Sequence, residues 1–177
     1  NYIWYDGYQF PTEGFKINTA NTIGGGTTST QYQLPLIDKG ALNMIVNWGD
    51  GSVDTITSYN QVETLHTYST SGIYIISIEN EVKGWQQYPL FTKEALKLIE
   101  ISKWGDFNIS NAGGFFDNVN LVVTATDKPI ITDVFVNTTF YDCDLFNAPV
   151  DDWDMSMAWY LASFFGLCDV FNQPVNS

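Results

Sequence analysis

The chain has 177 residues and a net charge of −13, with seven Lys and Arg against 20 Asp and Glu, so phosphate backbones and anionic membrane surfaces would be repelled and nucleic acid is excluded as a partner. Charged residues are only 15% and aromatics 16%, while Asn, Thr, Ser and Gln carry the polarity. That balance favours strands over Lys- and Glu-rich helices and suits an extracellular, cell-surface or virion protein better than a cytosolic enzyme.

The first 12 residues are dense in aromatics, from Tyr2-Ile3-Trp4-Tyr5 to Tyr8-Gln9-Phe10-Pro11. They read as a segment that packs along its neighbours, with a stacking platform for sugar rings as the other reading. No basic-then-apolar leader opens the chain, and any export signal or upstream domain is expected to lie outside it. No membrane insertion is expected either, because the longest nearly uncharged apolar stretch, 158–168, has 11 residues, too few to cross a bilayer, and fits a packed core segment.

Short alternating runs follow at 15–21, 31–37, 42–48, 53–59, 63–68 and 73–78, separated by polar or glycine-containing turns. In Asn43-Met44-Ile45-Val46-Asn47-Trp48 the even positions are apolar, as in a half-buried strand. In Ile73-Tyr74-Ile75-Ile76-Ser77-Ile78 both parities are, as in a central one. Six strands in about 70 residues without helical periodicity predict an antiparallel sandwich. The tract Gly24-Gly25-Gly26 reads as a surface loop, since it lacks the later glycine and the lysine of a phosphate-binding loop.

Within this half, Trp48-Gly49-Asp50-Gly51-Ser52 predicts a hairpin, because Asp-Gly supplies the positive φ of a tight turn between two strands. Downstream lie His66-Thr67-Tyr68 and the strand Gly72-Ile73-Tyr74-Ile75-Ile76-Ser77-Ile78. The order W-G-D-G-S, H-T-Y, G-x-Y-x-x-x-I resembles the PKD (polycystic kidney disease) domain over residues 13–83. The resemblance implies an immunoglobulin-like β-sandwich that serves as a non-catalytic spacer or adhesion module, with Trp48, Gly49, Asp50, Gly51, His66, Tyr68, Gly72 and Tyr74 as its structural motif. Asp50, Ser52 and His66 also invite a nucleophile–base reading, but no nucleophile-elbow pattern surrounds Ser52, and a turn carboxylate with a strand histidine is the simpler account. Calcium at Asp50 and Asp54 would lack the alternating oxygen ligands and closing Glu of an EF-hand loop.

Residues 84–91 read as a linker, with Trp85 and Trp104 expected to seal the join between the sandwich and the second half. From about residue 92 the chain repeats itself. Phe140-Tyr141-Asp142-Cys143-Asp144-Leu145-Phe146-Asn147-Ala148-Pro149-Val150 falls on Phe165-Gly166-Leu167-Cys168-Asp169-Val170-Phe171-Asn172-Gln173-Pro174-Val175 at an offset of 25, sharing Phe, Cys-Asp, Phe-Asn and Pro-Val. A weaker echo at an offset of 24 lays Phe116-Asp117-Asn118-Val119-Asn120-Leu121 on 140–145, and Leu98-Ile99-Glu100-Ile101 on Val122-Val123-Thr124-Ala125. Such a period predicts a short leucine-rich-repeat-like solenoid, in which each turn buries its apolar face only against its neighbours. Phe116, Phe140 and Phe165 should stack inside it, as should Phe146 and Phe171. Pro149 and Pro174 mark equivalent bends. Asn147 and Asn172 are expected to satisfy backbone groups at one loop position, with ligand contact as the other reading.

The units C-D-x-F-N-x-P-V, with Trp153-Asp154-Met155-Ser156 between them, resemble BspA-like leucine-rich repeats over about 92–177. That family occurs in bacterial and protist surface proteins and in phage or other viral structural proteins. The resemblance implies adhesion, and further repeats beyond Ser177. The first two units lack the Cys and F-N-x-P, consistent with a capping role beside the sandwich.

Cys143 and Cys168 occupy equivalent positions about 5 Å apart at Cα, within the window of a disulfide, although two reduced buried thiols are the favoured reading. Two Cys and one distant His do not make a zinc site. The acidic run Asp142, Asp144, Asp151, Asp152, Asp154 and Asp169 reads as a solvated edge, with Ca²⁺ binding and glycoside hydrolysis as lesser alternatives. Asn108-Ile109-Ser110 and Asn137-Thr138-Thr139 match the glycosylation acceptor pattern, which arises by chance in so Asn- and Thr-rich a chain.

Together these readings predict a mainly β, non-enzymatic surface or virion protein without cofactor. Its sandwich would space and orient a solenoid that engages a host protein, a glycan or other subunits, including copies of itself. A carbohydrate-binding accessory region of a secreted glycoside-active enzyme is the alternative.

Overall fold

A computed structural model of the protein describes residues 2–175 apart from 6, 24, 40, 81, 83, 88–91, 110–114 and 118–119. Gly24 of the glycine tract, residues 88–91 of the linker, Ser110 of the first acceptor tripeptide, Asn118 and Val119 of the weaker echo, and Asn176-Ser177 lie outside the described residues. The protein is mainly β, and its two halves pair their strands in different ways.

The aromatic N-terminal segment forms an antiparallel hairpin of β1 (Tyr2–Tyr5) and β2 (Tyr8–Pro11), turned at Gly7. Next come β3 (Phe15–Asn18), β4 (Gln31–Gln33), β5 (Met44–Asn47), β6 (Val53–Ile56), β7 (Leu65–Thr67) and β8 (Ile73–Glu79), one in each of the six alternating runs. Met44, Val46 and Trp48 are fully buried, so the even-numbered face of β5 points into the core. β8 lies between β3 and β5, both antiparallel to it, which is the central place that its apolar residues on both faces require. β5 and β6 form the hairpin expected around Asp50-Gly51, with Gly51 at φ +96. β4 and β7 pair in a separate two-stranded sheet.

A helical turn, α1 (Thr92–Ala95), leads into β9 (Leu98–Ile101), followed by β10 (Asn108–Ile109), β11 (Val122–Val123) and β12 (Ile130–Ile131). β9 pairs antiparallel with β3 on one side and parallel with β11 on the other, giving a six-stranded sheet of order β11-β9-β3-β8-β5-β6. Strand pairing therefore runs across the expected linker, and the buried side chains of both halves belong to one cluster. Trp85 and Trp104 sit at this join, both buried, both packed on Phe15 and Phe107.

Beyond β9 the backbone pairs each turn with the next. β10 pairs parallel with β12, Val82 bridges Phe107, and Phe135 bridges Tyr160. Past the strands, the amides of Thr138, Phe140 and Asp142 donate to the carbonyls of Ala162, Phe164 and Gly166 at 3.0, 2.9 and 2.7 Å. The register differs from the sequence match at one place. Val122 stands opposite Glu100 and Val123 opposite Ile101, an offset of 22 rather than 24. A slip of two residues keeps every side chain on its own face, so the apolar pattern could not distinguish the two registers.

Candidate functional site

The W-G-D-G-S hairpin and the H-T-Y strand meet in one compact cluster. Asp50 Oδ1 accepts from the Ser52 amide at 3.0 Å and from Ser52 Oγ at 2.5 Å, while Asp50 Oδ2 lies 2.9 Å from His66 Nε2. The His66 ring is stacked on Trp48 at 4.5 Å and meets Tyr68 edge-on, and Tyr68 is stacked on Tyr74 at 3.8 Å. The Tyr68 hydroxyl donates to the Trp48 carbonyl, and Trp48 Nε1 donates to Asp54. Gly72 is held by Thr19, which exchanges backbone and side-chain hydrogen bonds with it.

Burial raises the Asp50 carboxyl, but hydrogen bonds from His66 and Ser52 prevail and bring it down to about 2. Burial likewise pushes the Tyr68 phenol up. The arrangement is not a nucleophile–base–acid relay. In such a relay the two imidazole nitrogens serve different partners, whereas here Nε2 faces both Asp50 and, at 3.4 Å, Ser52 Oγ, whose proton is directed to Asp50. The cluster instead fixes the hairpin against β7 by stacking and charge-assisted hydrogen bonds.

Gly49 is demanded by more than its turn. It has φ +80, and a Cβ there would run into the Ile75 carbonyl of β8. The sequence marked it as a motif residue but carried no sign of the strand pressing on it.

In the second half the motif residues form ladders. Phe116 is stacked on Phe140 at 5.3 Å with 8° between the rings, and Phe140 on Phe165 at 5.8 Å with 15°. Phe146 contacts Phe171 at 5.9 Å. Asn147 Oδ1 accepts from the Asn172 amide at 3.1 Å and from Gln173 Nε2 at 3.0 Å, so its side chain holds the next turn's backbone. Pro149 and Pro174 are both exposed. The backbone repeats as well: Thr138 and Ser163 share φ 55, and Asp142 and Leu167 have φ 56 and 60. These left-handed residues are costly without glycine and recur because the turn does.

Among the described residues no three His, Cys, Asp or Glu gather as a metal site. Of the acidic run, Asp152 pairs with Lys128 of the preceding turn at 2.8 Å. Asp154 accepts from the Ser156 amide in a local turn.

The most exposed apolar surface lies on the last turn. Trp159 is 81% exposed and Tyr160 58%, with Tyr160 paired to a half-exposed Phe135 at 5.5 Å. Leu161, Leu167, Val170 and Val175 are also exposed. Beside them Val150, Trp153, Met155, Leu161, Phe164 and Phe165 line an apolar cleft of about 340 Å³. The apolar stretch 158–168 fits a packed core segment by its sequence, but the structure corrects this: Phe164 is buried while Trp159, Tyr160, Leu161 and Leu167 are exposed, because apolar content alone does not say which residues of a turn face inward.

The chain was compared with models of known protein families, with curated proteins and with solved structures, and none matches.

Proposed function

We propose that the protein is a non-enzymatic surface or virion structural and adhesion protein, in which a PKD-like sandwich spaces and orients a BspA-like leucine-rich-repeat solenoid. The exposed aromatic patch of Phe135, Trp159 and Tyr160 is the docking surface, and it engages copies of the chain or neighbouring subunits of an assembly. One observation carries this reading. Phe135, Trp159 and Tyr160 present exposed aromatic rings, and Tyr160 is bridged to Phe135 of the preceding turn, so the patch is shared by two turns in the manner of a protein interface. Its acidic surroundings keep such a face from associating indiscriminately.

Sedimentation velocity across a wide concentration range tests it. The wild-type chain should self-associate, and Trp159→Ala with Leu161→Ser should weaken association at least about tenfold, the effect of losing about 1.4 kcal/mol or more of buried apolar contact.

A second reading, the carbohydrate-binding region of a glycoside-active enzyme, is favoured by Phe135, Trp159 and Tyr160, whose exposed rings could stack on sugars. A chain that stays monomeric but is retarded by soluble polysaccharide in affinity electrophoresis, with retardation lost in Trp159→Ala, would replace the first reading by this one.

A further inference from the structure

Cys143 and Cys168 are stacked by the same backbone geometry used twice. Each directly follows a left-handed residue, Asp142 and Leu167, and each sits just beyond an inter-turn hydrogen-bond ladder. The bond from the Asp142 amide to the Gly166 carbonyl, 2.7 Å long, locks the two turns in register immediately before the two cysteines. Both thiols point the same way. Cys143 Sγ donates to the Phe116 carbonyl at 2.7 Å and Cys168 Sγ to the Phe140 carbonyl at 2.8 Å. Neighbouring hydrogen-bonded backbones lie about 4.8 Å apart, within the range of about 4.4–6.8 Å between Cα atoms that a disulfide spans.

The two thiols differ in access. Cys143 is buried, whereas Cys168 is partly exposed and can meet a solute. Side-chain and backbone hydrogen bonding with Cys143 also holds the Cys168 thiol below its ordinary pKa, against burial and the nearby Asp144 and Asp142, which raises its thiolate fraction. The stacking that puts them side by side is independent of this shift.

We infer that Cys143 and Cys168 are an oxidisable dithiol, a modification site at which a small-molecule disulfide such as oxidised glutathione forms an intramolecular bond across the last two turns. The Cys168 thiolate attacks one sulfur of the glutathione disulfide. That S–S bond breaks, a mixed disulfide forms on Cys168, and the leaving glutathione thiolate takes up the proton released by Cys168. Cys143 then attacks Cys168 Sγ, a second glutathione leaves, and it takes the proton of Cys143. Two protein thiols are oxidised and one glutathione disulfide is reduced to two thiols. The bond staples the turn that bears Trp159 and Leu161 to the one before it, and it forms whether or not the aromatic patch is a docking surface.

The full chain, incubated with oxidised glutathione, quenched in acid and digested without reductant, tests the site by mass spectrometry. The expected product lacks two hydrogens, yields one Cys143–Cys168 linked peptide, and reverts with dithiothreitol. By constraining the unfolded chain, the bond should raise Tm by about 5–10 °C. Cys143→Ser should stop at the mixed disulfide on Cys168, and Cys168→Ser should remain unmodified while folded. Wild-type protein that accumulates only the mixed disulfide, or that reacts only after unfolding in urea, overturns the inference, and neither result depends on a variant folding.

Discussion

The two halves of the molecule solve the same problem, burying apolar faces of short strands, with different physics. In the first half β3, β5 and β8 pair antiparallel over long sequence distances, and polar contacts such as those of Asp50 with His66 and of Thr19 with Gly72 tie their connections together. In the second half the parallel pairings join one turn to the next, and a column of phenylalanines at equivalent positions runs through the interior. A column is a sum of neighbour interactions, so damage to it should stay local, whereas a polar lock that ties distant segments together fails as a unit.

The largest expected effect breaks the column. Phe140 is fully buried and touches Phe116, Phe146, Phe164, Phe165, Trp104 and Trp153. Phe140→Ala should cost about 3–5 kcal/mol in urea unfolding. Hydrogen exchange should show the loss concentrated at residues 136–166, with β3, β5 and β8 still protected. Equal loss of protection in both halves would mean that the shared core makes them a single cooperative unit.

The polar counterpart is Lys97, whose side chain is wholly buried. Its ammonium donates to Thr27 Oγ1 and to the carbonyls of Thr28 and Gln31, with the Thr27 carbonyl at 3.2 Å sharing one of these hydrogens, and it lies 3.6 Å from Glu94. Glu94 in turn accepts from the amides of Thr27 and Gln33. This pair fastens the loop before β4 to the start of the second half. Burial holds the Lys97 pKa below its ordinary value, and the Glu94 carboxylate offsets part of that fall. Lys97→Met should cost about 3 kcal/mol by stranding the Glu94 carboxylate, and adding Glu94→Gln should recover part of that loss. No recovery in the double variant would show that the carbonyl cage, not the ion pair, carries the lock.

The contrast also accounts for which features could be foreseen from sequence. The phenylalanine ladder was legible because a repeated structure prints a repeated sequence, and identical residues at an offset of 25 rarely arise without one. The six strand positions of the first half were legible from alternation. Lys97 was not, since a lysine three residues after a glutamate is ordinary on any surface, and only the distant loop at 27–31 shows that it is buried. The pairing of β3 with β9 was hidden for a similar reason: nothing in Phe15-Lys16-Ile17-Asn18 records which strand lies on its other edge. The Asp50, Ser52 and His66 contacts lie between, with their residue types visible and their geometry not.

Gly49→Ala tests whether the first half is as rigid as its polar contacts imply. The new methyl group would meet the Ile75 carbonyl and would also hold alanine at a positive φ, and a cost of about 2–3 kcal/mol is expected in urea unfolding. A cost below about 1 kcal/mol would show that the hairpin can move off β8.

The smallest expected effect concerns the charge at the tip of that hairpin. Asp50 titrates at about 2 in the folded protein, below the ordinary carboxylate value of about 3.9, because the His66 and Ser52 hydrogen bonds outweigh the effect of burial. A carboxyl lowered on folding contributes stability that is fully present above its unfolded pKa and is lost as pH falls through the folded one, here between about pH 4 and pH 2. The group is open to solvent, which limits the contribution to about 1 kcal/mol. Urea unfolding of wild type and Asp50→Asn, compared pH by pH, isolates this contribution from the other 19 acidic residues, which titrate in both. The wild type should lead by about 1 kcal/mol at pH 5, and the gap should close by about pH 2. A gap that is unchanged down to that pH would mean that the neutral turn geometry, rather than the ionised carboxylate's hydrogen bonds to His66 and Ser52, holds the hairpin against β7, and that the first half's polar contacts are mechanical stops like the rings of the second.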